Sequence, residues 1–280
     1  MRRLWGDGRA RFGAVVLALA LLGALAAPAV TRREPETGPD VVRTRFLPPL
    51  TAGPDGRWHL LGTDRLGRDV WARLVYGARV SLAVGFSAVA LSVAIGLTVG
   101  AVAGFWPGRP ALALLAVTDF ALAVPRVVLL LLLAALWRPS AALVVVVLGL
   151  TGWMPIARLV HGEVRALTTR PFIEGAVAAG ASGLRVLARH IVPNALTPVI
   201  VAAALGGGNA MLLEAGLSFL GLGVQPPAPS WGNMIASGRD TLVNAPWVAT
   251  APGIALALVV VACTLLGDAV RDVLDPNRRP

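Results

Sequence analysis

Three ionisable residues, Asp119, Arg126 and Glu214, stand inside stretches that are otherwise apolar. A charge in hydrocarbon is costly, so such groups are normally turned toward protein, water or an interface. Asp119 and Arg126 are seven residues apart, about two turns along one face of a helix. Either could snorkel to an interface or line a translocation path. For Glu214 the two roles are helix packing or a translocation path. The remaining chemistry-bearing residues exclude more than they offer. His59, His161 and His190 are scattered without ligand spacing, so no metal site is expected. The single Cys263 lies in an apolar run and cannot form an intrachain disulfide. All 25 cationic side chains are Arg, which rules out a phosphate-binding loop ending in Gly-Lys-Ser/Thr. We therefore assign no catalytic residue and no cofactor.

A second group of residues has the spacing of a docking surface rather than of a reaction centre. Between residues 158 and 193 the chain reads as two short helices. Thr169 is a candidate N-cap with Pro171 in the first turn, and Glu174 lies where the helix dipole favours an anion. Gly180 sits where a left-handed C-terminal residue belongs, and Ser182 can cap a second helix. On that helix Leu184, Leu187 and Ile191 fall on one face and Arg185 and Arg189 on another, with Pro193 and Asn194 closing the segment.

The elements that must position these residues are membrane spans. With 56% hydrophobic and 14% charged residues, and a mean hydropathy of +0.73, the chain has too little polar surface to cover one core in water. The excess must face a lipid bilayer. Net charge +10 would suit a nucleic-acid partner in a soluble protein, but no basic run tracks a phosphate backbone, so no nucleic acid is expected. Crossing about 30 Å of hydrocarbon takes roughly 20 apolar residues. Six stretches qualify or nearly so: 12–30, 80–106, 111–137, 141–157, 196–224 and 248–267. The first is preceded by four Arg and followed by Ala-x-Ala at Ala24 to Ala26, so it describes either a retained anchor or a cleavable signal; we take it as an anchor. Six spans put both termini on one side. That side carries 13 Arg against 11 opposite, a narrow bias toward cytoplasmic termini.

Within the second span Gly96, Gly100 and Gly104 recur every four residues, which lets another helix approach closely, or serves only as flexible filler. Asp69 to Arg79 reads as a short amphipathic helix at the interface, ahead of that span. Residues 225–247 form a second outer loop, with Pro226, Pro227 and Pro229 before Trp231. We divide the chain into an anchor with its outer loop, 1–79, and a five-helix core, 80–280, whose inner loop is 158–193.

Glu174-Gly175-Ala176, then Gly180, then Val192-Pro193 resembles the Glu-Ala-Ala loop of binding-protein-dependent ABC importer permeases. Gly175 replaces the first Ala of that pattern, His190 its Ile and Val192 its Leu. The run from Gly62 to Asp69, followed by Gly77-Ala78-Arg79-Val80-Ser81-Leu82, is similar to the signature of the peptide and nickel permeases of the C type. The run from Leu213 to Gly223, continuing through Pro226-Pro227 to Ser230-Trp231-Gly232, agrees with the same group, as do Gly267-Asp268 and Arg271-Asp272.

The resemblance implies an all-α integral membrane protein of the bacterial inner membrane, with six transmembrane helices and a type I importer core. It implies that Glu174, Gly175, Ala176, Gly180, Val192 and Pro193 couple to an ATPase. It also implies partners: cytoplasmic ATPase subunits, a second homologous permease and an extracytoplasmic solute-binding protein. Peptides are the implied cargo, with nickel or other small solutes behind them. The competing class is an ion-gradient-driven secondary transporter, for which Pro125 and Gly206-Gly207-Gly208 could break helices. It would leave the long inner loop unexplained.

Overall fold

The apolar stretches become long helices whose ends fall where the sequence supplies caps or removes donors. The computed structural model describes residues 6–274 except 32, 39 and 55. Helix α1 (Gly8–Leu25) is followed by one turn, α2 (Ala27–Val30). A connector then carries α3 (Val41–Thr44) and a two-stranded antiparallel ribbon, β1 (Thr51–Ala52) and β2 (Trp58–His59). Helix α4 (Val70–Phe105) begins at Asp69, whose side chain accepts the N–H of Ala72 at 2.8 Å and so fills an orphan donor of the first turn. There is no separate amphipathic helix at 69–79: these residues are the first turns of α4, and Val70, Ala72, Arg73 and Val75 are buried.

The expected third span is broken. Helices α5 (Arg109–Ala123) and α6 (Arg126–Leu136) meet at 89°. Pro125 has no N–H and drives its predecessor out of the helical region, and Val124 is accordingly extended at ψ 128°. Helix α7 (Ala141–Thr168) is capped by Ser140, which accepts the N–H of Leu143 at 3.1 Å. It runs well past residue 157, so the connection after it is shorter than the sequence suggested. The chain continues through α8 (Pro171–Ala178), α9 (Gly183–Val186), a π-turn (Leu187–Ile191), α10 (Val192–Phe219), α11 (Trp231–Gly238), a 3-10 turn (Arg239–Thr241) and α12 (Trp247–Leu274).

Among the described residues five helices are long and apolar enough to cross a membrane, and the bent pair makes a sixth if counted as one span. Leu22, Leu112 and Phe120 are 60%, 68% and 76% exposed, which suits a surface in contact with hydrocarbon rather than water. Helices α4 and α7 pack closely. A Cβ on Gly96 would lie 2.7 Å from Cβ of Ile156, one on Gly100 2.7 Å from Cβ of Val160, and one on Gly104 2.8 Å from Cβ of Val164. The bundle thus has two ends. One carries the 31–69 connector and α11; the other carries α8, α9 and the start of α1, where Arg9 reaches Asp272 at 3.0 Å.

Candidate functional site

At the second end, α8 is a short helix fastened by one side. Ile173 is buried in a cluster with Val160, Val164, Val186, Leu187 and Ile191, while Phe172, Glu174, Gly175 and Val177 face outward. Ala176 packs partly against the same cluster. Helix α8 ends in a Schellman turn: Gly180 N–H donates to Val177 O at 2.9 Å, and Ala181 N–H to Ala176 O at 3.1 Å. That turn requires a positive φ, and Gly180 has φ +83°.

Three details differ from the sequence reading. Thr169 is not the N-cap; that residue is Arg170, and the Thr169 hydroxyl donates to Ala166 O at 3.1 Å at the end of α7. Leu184 is 67% exposed, and Val186 takes its place beside Leu187 and Ile191. Pro193 does not close the segment. Because Pro193 lacks an N–H, the helix widens into the π-turn, Val192 N–H donates to Leu187 O, and Asn194 Nδ2 donates to His190 O at 2.6 Å. Helix α9 therefore runs continuously into α10.

At the opposite end, Glu214 is fully buried and joins three elements. Its Oε1 accepts from Ser218 Oγ at 2.7 Å, and its Oε2 stands 3.4 Å from the donating Ser81 Oγ on α4. Ser81 Oγ in turn accepts the N–H of Trp231 at 3.0 Å, and Trp231 Nε1 donates to Leu74 O at 3.0 Å. Helix α11 starts there with a reciprocal cap between Ser230 and Asn233. The carboxyl group thus ties two spans to the loop that carries α11.

A polar cluster that local spacing did not reveal holds the 31–69 connector. Buried His59 has its Nδ1 2.7 Å from Asp69 Oδ2, and Arg33 Nη1 lies 3.3 Å from the same oxygen. Asp64 accepts from Arg68 Nε at 2.7 Å and stands 3.8 Å from Arg73 Nε. Arg73 Nη1 donates to Pro35 O at 2.9 Å. A hairpin-like loop of this size would otherwise contribute few apolar contacts.

Asp119 and Arg126 do not share a helical face, because the 89° bend separates them. Asp119 accepts from Arg158 Nε at 2.9 Å, a pair about half exposed on the bundle surface. Arg126 is half-buried at the start of α6 and opens on a cavity of 420 Å³ between α4, α6, α7 and α10. Ser92 and Asn209 are its other polar lining residues.

This architecture matches known proteins. The family model of the binding-protein-dependent transport system inner membrane component matches residues 96–280. A Brucella abortus protein assigned provisionally as a peptide transport system permease is 40% identical over 277 residues, 99% of this chain and 90% of the relative. The di/tripeptide transport system permease protein DppC of Pseudomonas aeruginosa is 40% identical over 78% of this chain and 72% of its own length. The glutathione transport system permease protein GsiD of Pectobacterium atrosepticum is 39% identical over 81% and 75%. Among solved structures, the inward-facing MetNI methionine ABC transporter aligns with a TM-score of 0.56 at 23% identity, over 72% of this chain and 96% of that one, and so shares the fold. Nothing in these matches supports a gradient-driven carrier. The chain belongs to the family of binding-protein-dependent transport system inner membrane components, the permeases of ABC importers.

Proposed function

We propose that the chain is one of two permeases that together line a path for short peptides through a bacterial inner membrane, with both termini in the cytoplasm. Separate ATPase subunits supply the energy by docking on α8. An extracytoplasmic binding protein delivers cargo at the end carrying the 31–69 connector and α11. In this reading residues 1–79 form the anchor and outer loop beside the core of 80–280, and Glu174, Gly175, Ala176, Gly180, Val192 and Pro193 belong to the coupling region.

The observation that carries the proposal is α8 itself, a helix held to the bundle through Ile173 while Phe172 and Val177 are 48% and 57% exposed. Its position fits a lever: Ile173 shares a core with α7, α9 and the π-turn, so a push on α8 moves two spans as a body. The relatives' names supply the cargo class. The absence of Lys leaves no phosphate-binding loop in this sequence, so ATP chemistry falls to a partner. A Cys introduced at Glu174 in a Cys263→Ser background should cross-link to the ATPase in membranes holding the whole complex. Failure there, with cross-linking from Asn233→Cys instead, would reverse the assignment of the two ends.

A further inference from the structure

Of the three ionisable residues inside apolar stretches, two are matched within the chain. Asp119 pairs with Arg158, and Glu214 is held by Ser81 and Ser218. Arg126 has neither a hydrogen bond nor an ion pair among the described residues, and its Nε is shut off from solvent. An unmatched guanidinium in a membrane span is costly and marks a functional position. Three features around it have the character of a site. The side chain lines the 420 Å³ cavity, within the range of about 300–1,000 Å³ common to small-ligand sites. Gly152 makes room for it: a Cβ there would collide with Ser92 Oγ and lie 3.3 Å from Arg126 Nη2. Gly152 is also 11 residues into α7, about 16 Å along its axis and so near mid-bilayer.

We propose that Arg126 binds the C-terminal carboxylate of a peptide as it passes the middle of the membrane. Ser92 and Asn209 supply the remaining polar contacts, and the apolar wall of Ala88, Leu148 and Ile156 receives side chains. The guanidinium offers a planar pair of N–H groups that matches a carboxylate, and low local dielectric strengthens the contact. This inference rests on the reading of the chain as a peptide permease and names the cargo group that its path recognises.

The test uses the full complex in liposomes with ATP, and two probes at concentrations saturating the binding protein: the dipeptide Ala-Ala and its C-terminal amide. Maximal uptake of Ala-Ala should fall about tenfold in Arg126→Gln and return only in part in Arg126→Lys, which keeps the charge but loses the planar pair, while KM stays put. Uptake of the amide should be the same in wild type and Arg126→Gln. Gly152→Val, which fills the cradle, should reproduce the selective loss, and co-purification of the partners monitors folding of every variant. Equal losses for acid and amide would mean that Arg126 faces an anion of a partner subunit or a lipid phosphate, and would overturn the proposal. Absence of ATP-driven peptide uptake by the wild-type complex would instead refute the peptide reading beneath it.

Discussion

Replacing Gly180 by Ala should open the C-terminal turn of α8 and leave the membrane bundle untouched. The residue has φ +83°, a region that costs an L-amino acid about 1–2 kcal/mol. A Cβ at Gly180 meets nothing within 4 Å, so crowding adds nothing and the whole cost is conformational. It falls on the two hydrogen bonds that close the turn, Gly180 N–H to Val177 O and Ala181 N–H to Ala176 O. One to two kcal/mol corresponds to a factor of roughly 5–30 in a local opening equilibrium. Hydrogen exchange of the purified chain should therefore quicken by about that factor at residues 180 and 181, with the amides of α4 and α7 unchanged. Gly180→Asn should fall between, because Asn tolerates the left-handed region. Gly175→Ala should act in the opposite sense. Its Cβ also meets nothing within 4 Å, but it lies inside the helix, where Ala is favoured by about 0.5–1 kcal/mol. Unchanged exchange in Gly180→Ala, or the same change in all three variants, would refute this account of the turn. In the complex, Gly180→Ala should also weaken ATPase association.

Gly100→Ala should destabilise the bundle by about 1–3 kcal/mol, because the new Cβ would lie 2.7 Å from Cβ of Val160, whereas Gly162→Ala, with open space around it inside α7, should stabilise by about 0.5–1 kcal/mol in a thermal melt in detergent. Glu214→Ala removes the acceptor of Ser81 and Ser218 and should cost about 2 kcal/mol, loosening α11 enough to speed proteolysis of residues 225–247; Glu214→Gln should cost less, and equal resistance in all three proteins would contradict the tie between spans and loop. Cysteine labelling in a Cys263→Ser background should find Ser182 accessible from the cytoplasm and Asn233 from outside; labelling of both from one side would contradict the topology.

Part of the helix punctuation was legible in the sequence: Gly180 closes α8 by chemistry confined to a few neighbouring residues. The caps at Asp69 and Ser230 and the break at Pro125, which follows from one missing N–H, are equally local, yet 111–137 reads as one span because its hydropathy runs on through the proline. Pro193 looks identical on that basis yet does not end a helix. The backbone absorbs it by widening one turn, and Asn194 satisfies the His190 carbonyl, a rescue that depends on the packing of Leu187 and Ile191. The partners of Glu214 and Asp119 were hidden for another reason. Ser81 is 133 residues from Glu214, and Arg158 is 39 from Asp119, so no local period connects them. The same holds for the cavity beside Arg126, whose walls come from four helices. Family resemblance marked the α8 loop because its chemistry is contiguous in the chain; the cavity and the buried polar contacts are assembled from distant residues.

In the proposed function this chain forms half of a path and draws its energy from partners docked at α8. Reconstitution in liposomes tests it directly, comparing the chain alone with the chain plus a second permease, ATPase subunits and binding protein. The account predicts no peptide uptake by the chain alone, with ATP or with an imposed proton gradient, and ATP-dependent uptake once the partners are present. Gradient-driven uptake by the chain alone would contradict it.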